Sequence, residues 1–371
     1  MTWMRSSSCA EASATPQAWC VRTRSRLESQ RESQDGLQTG ADEWLVDMQG
    51  PVKCVACADG YVACGGYDDC IYLFDLKRKK DLGALVEHQG AITCLEFFPS
   101  RGKASHLLSG AKDGIINVWE AGKSWEHLKS LKGHKKEISA IAMHSTGKLC
   151  MSTAKDGFLR LWDMGRGRCT FKHRLTGEGD ILKMLPQGNQ YALGGRQTIA
   201  VHRADDPASQ PVLFHHIKDV LALDAVSDNV LLSGGEGGLV YLLDIKSGTI
   251  PMRFQAHTAR LRAVCSVDEH HVKFSGLSLP RRFATASTDG SVRLWDSRML
   301  PSNDDVVGTP LSEFRAGARI TCMEFCKELG DLISDAPSKS LPKPKSALRQ
   351  KRSAGNPESA ASTRQKKKSL S

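Results

Sequence analysis

Three segments of this chain repeat one twelve-residue pattern at near-constant spacing. They are Ser109-Gly-Ala-Lys-Asp113-Gly114-Ile-Ile-Asn-Val-Trp119-Glu120, Ser152-Thr-Ala-Lys-Asp156-Gly157-Phe-Leu-Arg-Leu-Trp162-Asp163 and Thr285-Ala-Ser-Thr-Asp289-Gly290-Ser-Val-Arg-Leu-Trp295-Asp296. Each carries a hydroxyl residue, an Asp-Gly turn four residues on, alternating apolar residues and a Trp before an acid. Trp119 and Trp162 are 43 residues apart, and stepping back 45 from Trp119 lands on Phe74 in Tyr67-Asp68-Asp69-Cys70-Ile71-Tyr72-Leu73-Phe74-Asp75. Forward steps reach two worn copies, one ending in Thr198-Ile199-Ala200-Val201-His202 and one at Gly237-Gly238-Leu-Val-Tyr-Leu-Leu243-Asp244. The longer step to Trp295 holds an insertion over 267–281. A period of about forty residues with the same turn and strand each time is the mark of a repeat architecture.

Each unit reads as four short strands with period-two alternation and Gly or Asp turns. One such sheet cannot bury both faces alone, whereas sheets packed radially against each other can. The expected fold is therefore all-β, a β-propeller of the WD-repeat type over residues 42–335. Six blades run from Val52 to Asp296. A seventh begins at Ala318-Arg-Ile320-Thr-Cys322-Met-Glu-Phe325, with Glu43-Trp44-Leu45-Val46-Asp47 as candidate for its missing outer strand.

The copies align a polar set: His88, Ser109, Asp113 and Trp119; His134, Ser152, Asp156 and Trp162; His257, Thr285, Asp289 and Trp295. A hydrolase triad occurs once per active site, not three times at fixed period, and no Gly-x-Ser-x-Gly elbow accompanies these residues. A buried Asp at a tight turn must instead find hydrogen-bond donors. In WD-repeat proteins these residue types form such a structural network, and that role is expected here. Cys64 in place of Ser/Thr and Gly237 in place of Asp imply that the worn blades are held by packing alone.

Twelve cysteines invite a zinc or disulfide reading, with Cys54-Val-Ala-Cys57 at C-x-x-C spacing and Cys322 close to Cys326. The repeat opposes it. Cys54, Cys94 and Cys322 occupy one position of the first strand, where Ala140 and Ala263 stand in other copies, so the position is a small packing site. No second C-x-x-C at finger spacing exists. Neither metal nor cofactor is expected, and the absence of P-loop, metal spacing and nucleophile elbow speaks against an enzyme. Many free thiols, no apolar run at the front and no membrane span imply a reducing compartment.

The net charge of +10 sits almost wholly in residues 336–371, where ten Lys or Arg face Glu358 alone. That tail of Ser, Pro, Lys and Ala cannot bury enough to fold and is expected to be disordered. Lys351-Arg352, then eleven residues, then Arg364-Gln-Lys366-Lys367-Lys368 resembles a bipartite nuclear-import signal, read by an import receptor. The same cations suit RNA phosphates without sequence preference. Residues 1–41, rich in Ser, Arg, Gln and Glu, show no strand pattern and read as disordered or as a misplaced start of the chain.

One family fits better than the generic repeat. Gly83-Ala84-Leu85-Val86-Glu87-His88-Gln89-Gly90-Ala91-Ile92-Thr93-Cys94-Leu95-Glu96-Phe97, His144-Ser-Thr-Gly-Lys-Leu149 and Ala318-Arg-Ile-Thr-Cys-Met323 resemble the p21-activated-kinase (PAK)-interacting proteins and their fungal ribosome-assembly relatives. The likeness spans Val52 to Phe325. It implies a non-enzymatic scaffold in nucleolar biogenesis of the large ribosomal subunit and pre-rRNA processing, partnered by pre-ribosomal particles and assembly factors. It further implies restraint of a PAK-type kinase through its regulatory region, and residence in the nucleus and nucleolus. A competing resemblance lies at Trp295-Asp296-Ser297-Arg298, a W-D-x-R box like that by which some WD-repeat substrate receptors dock on a cullin–RING ligase adaptor. In that reading Arg298 supplies the planar fork for the adaptor.

Overall fold

The computed structural model describes residues 2–3, 44–45 and 51–325, except 100–102, 176, 178, 207–208, 268–270, 275–276, 301–307 and 317–318. Its body is six four-stranded antiparallel sheets in chain order. Blade 1 is Val52–Ala58, Tyr61–Gly66, Cys70–Asp75 and Lys80–Val86; blade 2 is Ile92–Phe98, His106–Ala111, Ile115–Glu120 and His127–Lys132. Blade 3 is Ile138–Met143, Leu149–Ala154, Phe158–Asp163 and Arg168–Arg174; blade 4 is Ile181–Met184, Gln190–Gly195, Thr198–Arg203 and Val212–His215. Blade 5 is Val220–Ser227, Val230–Gly235, Leu239–Asp244 and Thr249–Gln255; blade 6 is Leu261–Ser266, Arg282–Ser287, Ser291–Asp296 and Ser312–Arg315. The first strands of successive blades pack side by side around an axis, giving the six-blade propeller arrangement. The insertion over 267–281 is a hairpin, His271–Phe274 paired with Leu277–Pro280, between the first and second strands of blade 6.

Burial grades outward along each blade. The second strand is almost wholly buried, as in blade 5 where all six residues of Val230–Gly235 are. The fourth strand is mostly exposed, as in Lys80–Val86 and Arg168–Arg174. Packing between blades explains the small residues of the second strands. A Cβ on Gly110 would lie 2.7 Å from the Cys94 sulfur and 2.8 Å from Ile138 of the next blade. The turn glycines answer a different need: Gly114, Gly157, Gly238 and Gly290 all have φ between 70° and 84°, the left-handed region costly for other residues.

The seventh position holds one extended segment. The Thr321 hydroxyl donates to the Val52 carbonyl (2.7 Å), and the Cys265 thiol lies 3.5 Å from the Met323 carbonyl. Ile320, Met323 and Phe325 are buried against Ala263, Ala284 and Val292 of blade 6, while Cys322 packs on the cluster of Val52 and Phe74 in blade 1. Residues 320–325 thus bridge the first strands of the last and first blades. Among the described residues no further strand of that blade joins them. Of the candidate stretch 43–47 the described residues are Trp44–Leu45, which pair with Thr2–Trp3 rather than with 320–325.

Candidate functional site: the loop end of the ring

In every blade the start of the first strand, the turn between the second and third strands, and the end of the fourth lie at one end of the sheet. The repeated polar residues collect there. In blade 2 the His88 ring bonds Asp113 through Nδ1 (2.9 Å) and Ser109 through Nε2 (2.8 Å), and Trp119 Nε1 donates to Ser109 (2.9 Å). Blade 3 repeats this with His134, Asp156 (3.0 Å), Ser152 (2.8 Å) and Trp162 (2.8 Å). Asp113 and Asp156 also accept from the backbone N–H of Gln89 and Lys135 and of Ile115 and Phe158. Each aspartate thereby ties the incoming loop to the turn. Burial would raise the Asp156 carboxyl, but the donors from Lys135, His134 and Phe158 outweigh it and hold the acid below its usual range.

Blade 6 differs in one link. His257 Nε2 meets Thr285 (2.7 Å) and Trp295 donates to Thr285 (2.8 Å), as expected. His257 Nδ1, however, meets the Ser291 hydroxyl (2.9 Å), which donates to Asp289 (2.5 Å); the direct His257–Asp289 distance is 3.9 Å. Ser291 is the network member that the sequence comparison missed, because Ile115 and Phe158 stand at its position.

Blade 5 corrects the expectation of packing alone. His216, at the place of His88, bonds Ser233 at 3.0 Å, and the Tyr241 ring lies 3.8 Å from the imidazole. Where blades 2, 3 and 6 carry Asp, Gly237 leaves a cleft of about 210 Å³ lined by His216, Ile217, Lys218, Glu236, Leu239 and Tyr241 among others. In blade 1, Cys64 is fully buried and Asp68 instead accepts from the Tyr72 hydroxyl (2.8 Å).

A second group lines the axis. Glu96, Lys183, Asp224 and Glu324 stand at one register of the first strands of blades 2, 4 and 5 and of the seventh segment. Glu96 accepts from the Met143 N–H (3.1 Å) and Asp224 from the Ser266 N–H (2.7 Å), each reaching to the next blade. Burial pushes the Glu96 carboxyl up to about 7. Burial alone would lower the Lys183 ammonium, but Glu324, Asp224 and Glu96 outweigh it and hold the ammonium above its usual range. The alternation of Ala56, Ala142 and Cys265 with charged residues at this register was a signal available in the sequence. Two residues earlier in the same segments, burial raises the thiols of Cys94 and Cys322 to about 12. Among the described residues no group of three or more metal-ligating side chains converges, and all described cysteines are free thiols.

At the loop end Lys112, Lys135, Lys136, Arg196 and Lys218 are exposed. Lys112 rests over the exposed Tyr67 ring at 5.7 Å. The ligase-docking residues are placed differently. Trp295 is fully buried in its network, and Arg298 forms a two-point ion pair with Asp296 (Nε–Oδ1 3.0 Å, Nη2–Oδ2 2.6 Å). Lys351, Arg352, Arg364, Lys366, Lys367 and Lys368 lie outside the described residues.

Radial four-stranded sheets joined by this His–Ser/Thr–Trp network define a WD-repeat β-propeller, and the family "WD domain, G-beta repeat" matches residues 79–120, 125–163 and 248–296. The chain is 31% identical to "p21-activated protein kinase-interacting protein 1-like" of Danio rerio, over 76% of this chain and 74% of that one. It is 26% identical to "Protein MAK11" of Saccharomyces cerevisiae (75% and 72% covered) and 27% to "Shk1 kinase-binding protein 15" of Schizosaccharomyces pombe (76% and 75%). The chain belongs to the family of p21-activated-kinase-interacting protein 1, a family of WD-repeat scaffolds.

Proposed function

We propose that this protein is a non-enzymatic scaffold in nucleolar assembly of the large ribosomal subunit and in pre-rRNA processing. The observation that carries the reading is the division of charge. The tail holds ten basic residues against one acid, and the propeller adds a loop end bearing Lys112, Lys135, Lys136, Arg196 and Lys218. A cationic tail and a cationic loop end on one chain suit a particle made of RNA and protein, where phosphates supply affinity and loops supply choice of neighbour. The resemblance to a family with ribosome-assembly relatives supports the same reading, as does the import-like spacing of the tail.

The test is to tag the protein, recover it from nuclear extract and follow it on a sucrose gradient with mass spectrometry of each fraction. Co-migration with large-subunit precursors is expected. A light fraction free of ribosomal proteins would exclude the role. Deleting 336–371 should flatten the salt dependence of RNA retention by a slope of about 0.7 per phosphate no longer neutralised on single strands.

A second reading is favoured by the relatives' names in fish and fission yeast, which both specify kinase binding. In it the loop end holds the regulatory region of a PAK-type kinase and restrains it. Pull-down of that region by the propeller lacking 336–371 would separate this from the RNA role. The ligase reading is weakened, since docking through the W-D-x-R box would have to free Arg298 from Asp296.

A further inference from the structure

We propose that the cleft at the loop end of blade 5 binds an aspartate or glutamate side chain from an acidic segment of a protein partner, completing in trans the network that blades 2 and 3 complete in cis.

Gly237 occupies the position of Asp113 and Asp156: Gly234 pairs with Val240 as Gly110 pairs with Ile116, and the left-handed Gly238 follows as Gly114 does. In the complete blades the carboxylate accepts from three sources: a histidine Nδ1, the N–H after that histidine, and the N–H two residues beyond the Asp. Blade 5 keeps all three positions as His216, Ile217 and Leu239. His216 is 6% exposed and spends Nε2 on Ser233, which leaves Nδ1 on the side facing the missing acid. No partner for that nitrogen occurs among the described residues. Burial lowers the His216 imidazole to about 4, so the ring is neutral and carries one N–H. The Ile217 N–H reaches only the Tyr241 hydroxyl, at a long 3.4 Å, and that hydroxyl keeps its own hydrogen to donate. Lys218 adds a cation at the mouth, and Ile217, 58% exposed, gives an apolar lip. Glu236, the one acid lining the cleft, is paired with Arg260 at 3.2 Å. A buried site rich in donors and open to solvent is complementary to an anionic acceptor.

The site assigns a partner chemistry that the scaffold reading leaves open, and it stands whether the scaffold serves a ribosomal particle or a kinase. A Cβ on Gly237 would meet nothing closer than 3.7 Å, and its φ is not left-handed, so Gly237→Asp fits and should occupy the cleft in cis. A display library of twelve-residue peptides with a central Asp or Glu is selected on the full chain. Enriched peptides are then measured by fluorescence polarisation against wild type, Gly237→Asp, Lys218→Glu and, as a control on an intact blade, Lys135→Glu. The expected result is binding that falls at least tenfold when the central acid becomes Asn or Gln, and equally with Gly237→Asp, while the melting temperature of Gly237→Asp is unchanged or higher. Lys218→Glu should weaken binding and Lys135→Glu should not. Enrichment of no acid-dependent peptide, or equal binding to Gly237→Asp, overturns the proposal. So does a cleft that takes only a uridine oligonucleotide with the same loss in Gly237→Asp. The nuclear gradient is read separately, so either reading can fail alone.

Discussion

Blades 3 and 5 are built to one plan and hold together by different means. In blade 3 a chain of side chains runs from Trp162 through Ser152 and His134 to Asp156, and the acid fastens the entering loop. In blade 5 Leu243 replaces the Trp, Gly237 replaces the Asp, and only the His216–Ser233 bond survives, with Tyr241 laid over the ring. Yet the second strand of blade 5 is buried throughout and Leu231, Leu242 and Leu243 are sealed. A propeller blade therefore needs its apolar core, while the polar network is an addition that can be dismantled in part. What dismantling yields is an open, donor-lined cleft at the loop end.

The largest effect expected from breaking that comparison is at Trp162. Trp162→Ala removes a fully buried indole and leaves the Ser152 hydroxyl with His134 as its one remaining partner, and should cost about 3–5 kcal/mol in denaturant unfolding. Asp156→Ala should follow at about 1–3 kcal/mol, because His134 Nδ1 and the N–H groups of Lys135 and Phe158 lose their acceptor. Asp289→Ala should cost less, about 0.5–1.5 kcal/mol, since its carboxyl is 30% exposed and Ser291 stands between it and His257. Equal losses at Asp156 and Asp289 would show that the relay through Ser291 is as strong as direct contact. Gly237→Asp runs the other way. It should stabilise by about 0.5–1 kcal/mol, by completing the blade 5 network and stiffening the unfolded chain. A midpoint lowered by this substitution would show that Tyr241 already fills the acceptor role.

These contrasts also show what a sequence of this kind discloses. The turn and strand of every blade were legible, even where Phe74, His202 and Leu243 replace Trp, because spacing and alternation survive when the network does not. The hairpin in blade 6 announced itself as a lengthened step between copies. Contacts that cross between blades were not legible. The bonds from the Met143 and Ser266 N–H groups to Glu96 and Asp224 depend on how separate first strands face one axis, and within blades the Ser291 relay and the Tyr241–His216 ring contact rest on side chains that the aligned copies do not share. Closure of the ring was half legible: Ile320–Phe325 occupies the seventh position by its apolar pattern, whereas the short Trp44–Leu45 run finds a partner in Thr2–Trp3 that no periodicity points to.

The axial charges give an effect that depends on pH and has the cleanest sign. Glu96 ionises at about 7 in the fold and at its ordinary value near 4.5 when unfolded. A raised acid binds more protons in the native state, so its contribution is fully present below pH 4.5 and is lost as pH climbs towards 7. His216 and His257, lowered by burial to about 4, act oppositely: their contribution is intact above about 6.5 and is lost as pH falls towards 4. The two terms tilt the same window in opposite directions, so the wild-type profile alone does not separate them. Glu96→Gln does. It keeps the acceptor for the Met143 N–H and removes the titration, so the variant should gain stability relative to wild type progressively between pH 4.5 and 7. The histidines are untouched by this change, and the residual slope of the variant should fall on acidification alone. A stability difference that stays flat across that window would mean Lys183 neutralises Glu96 throughout, and the charges around the axis would then act as one paired cluster rather than as a lone strained acid beside a lysine held by Glu324 and Asp224.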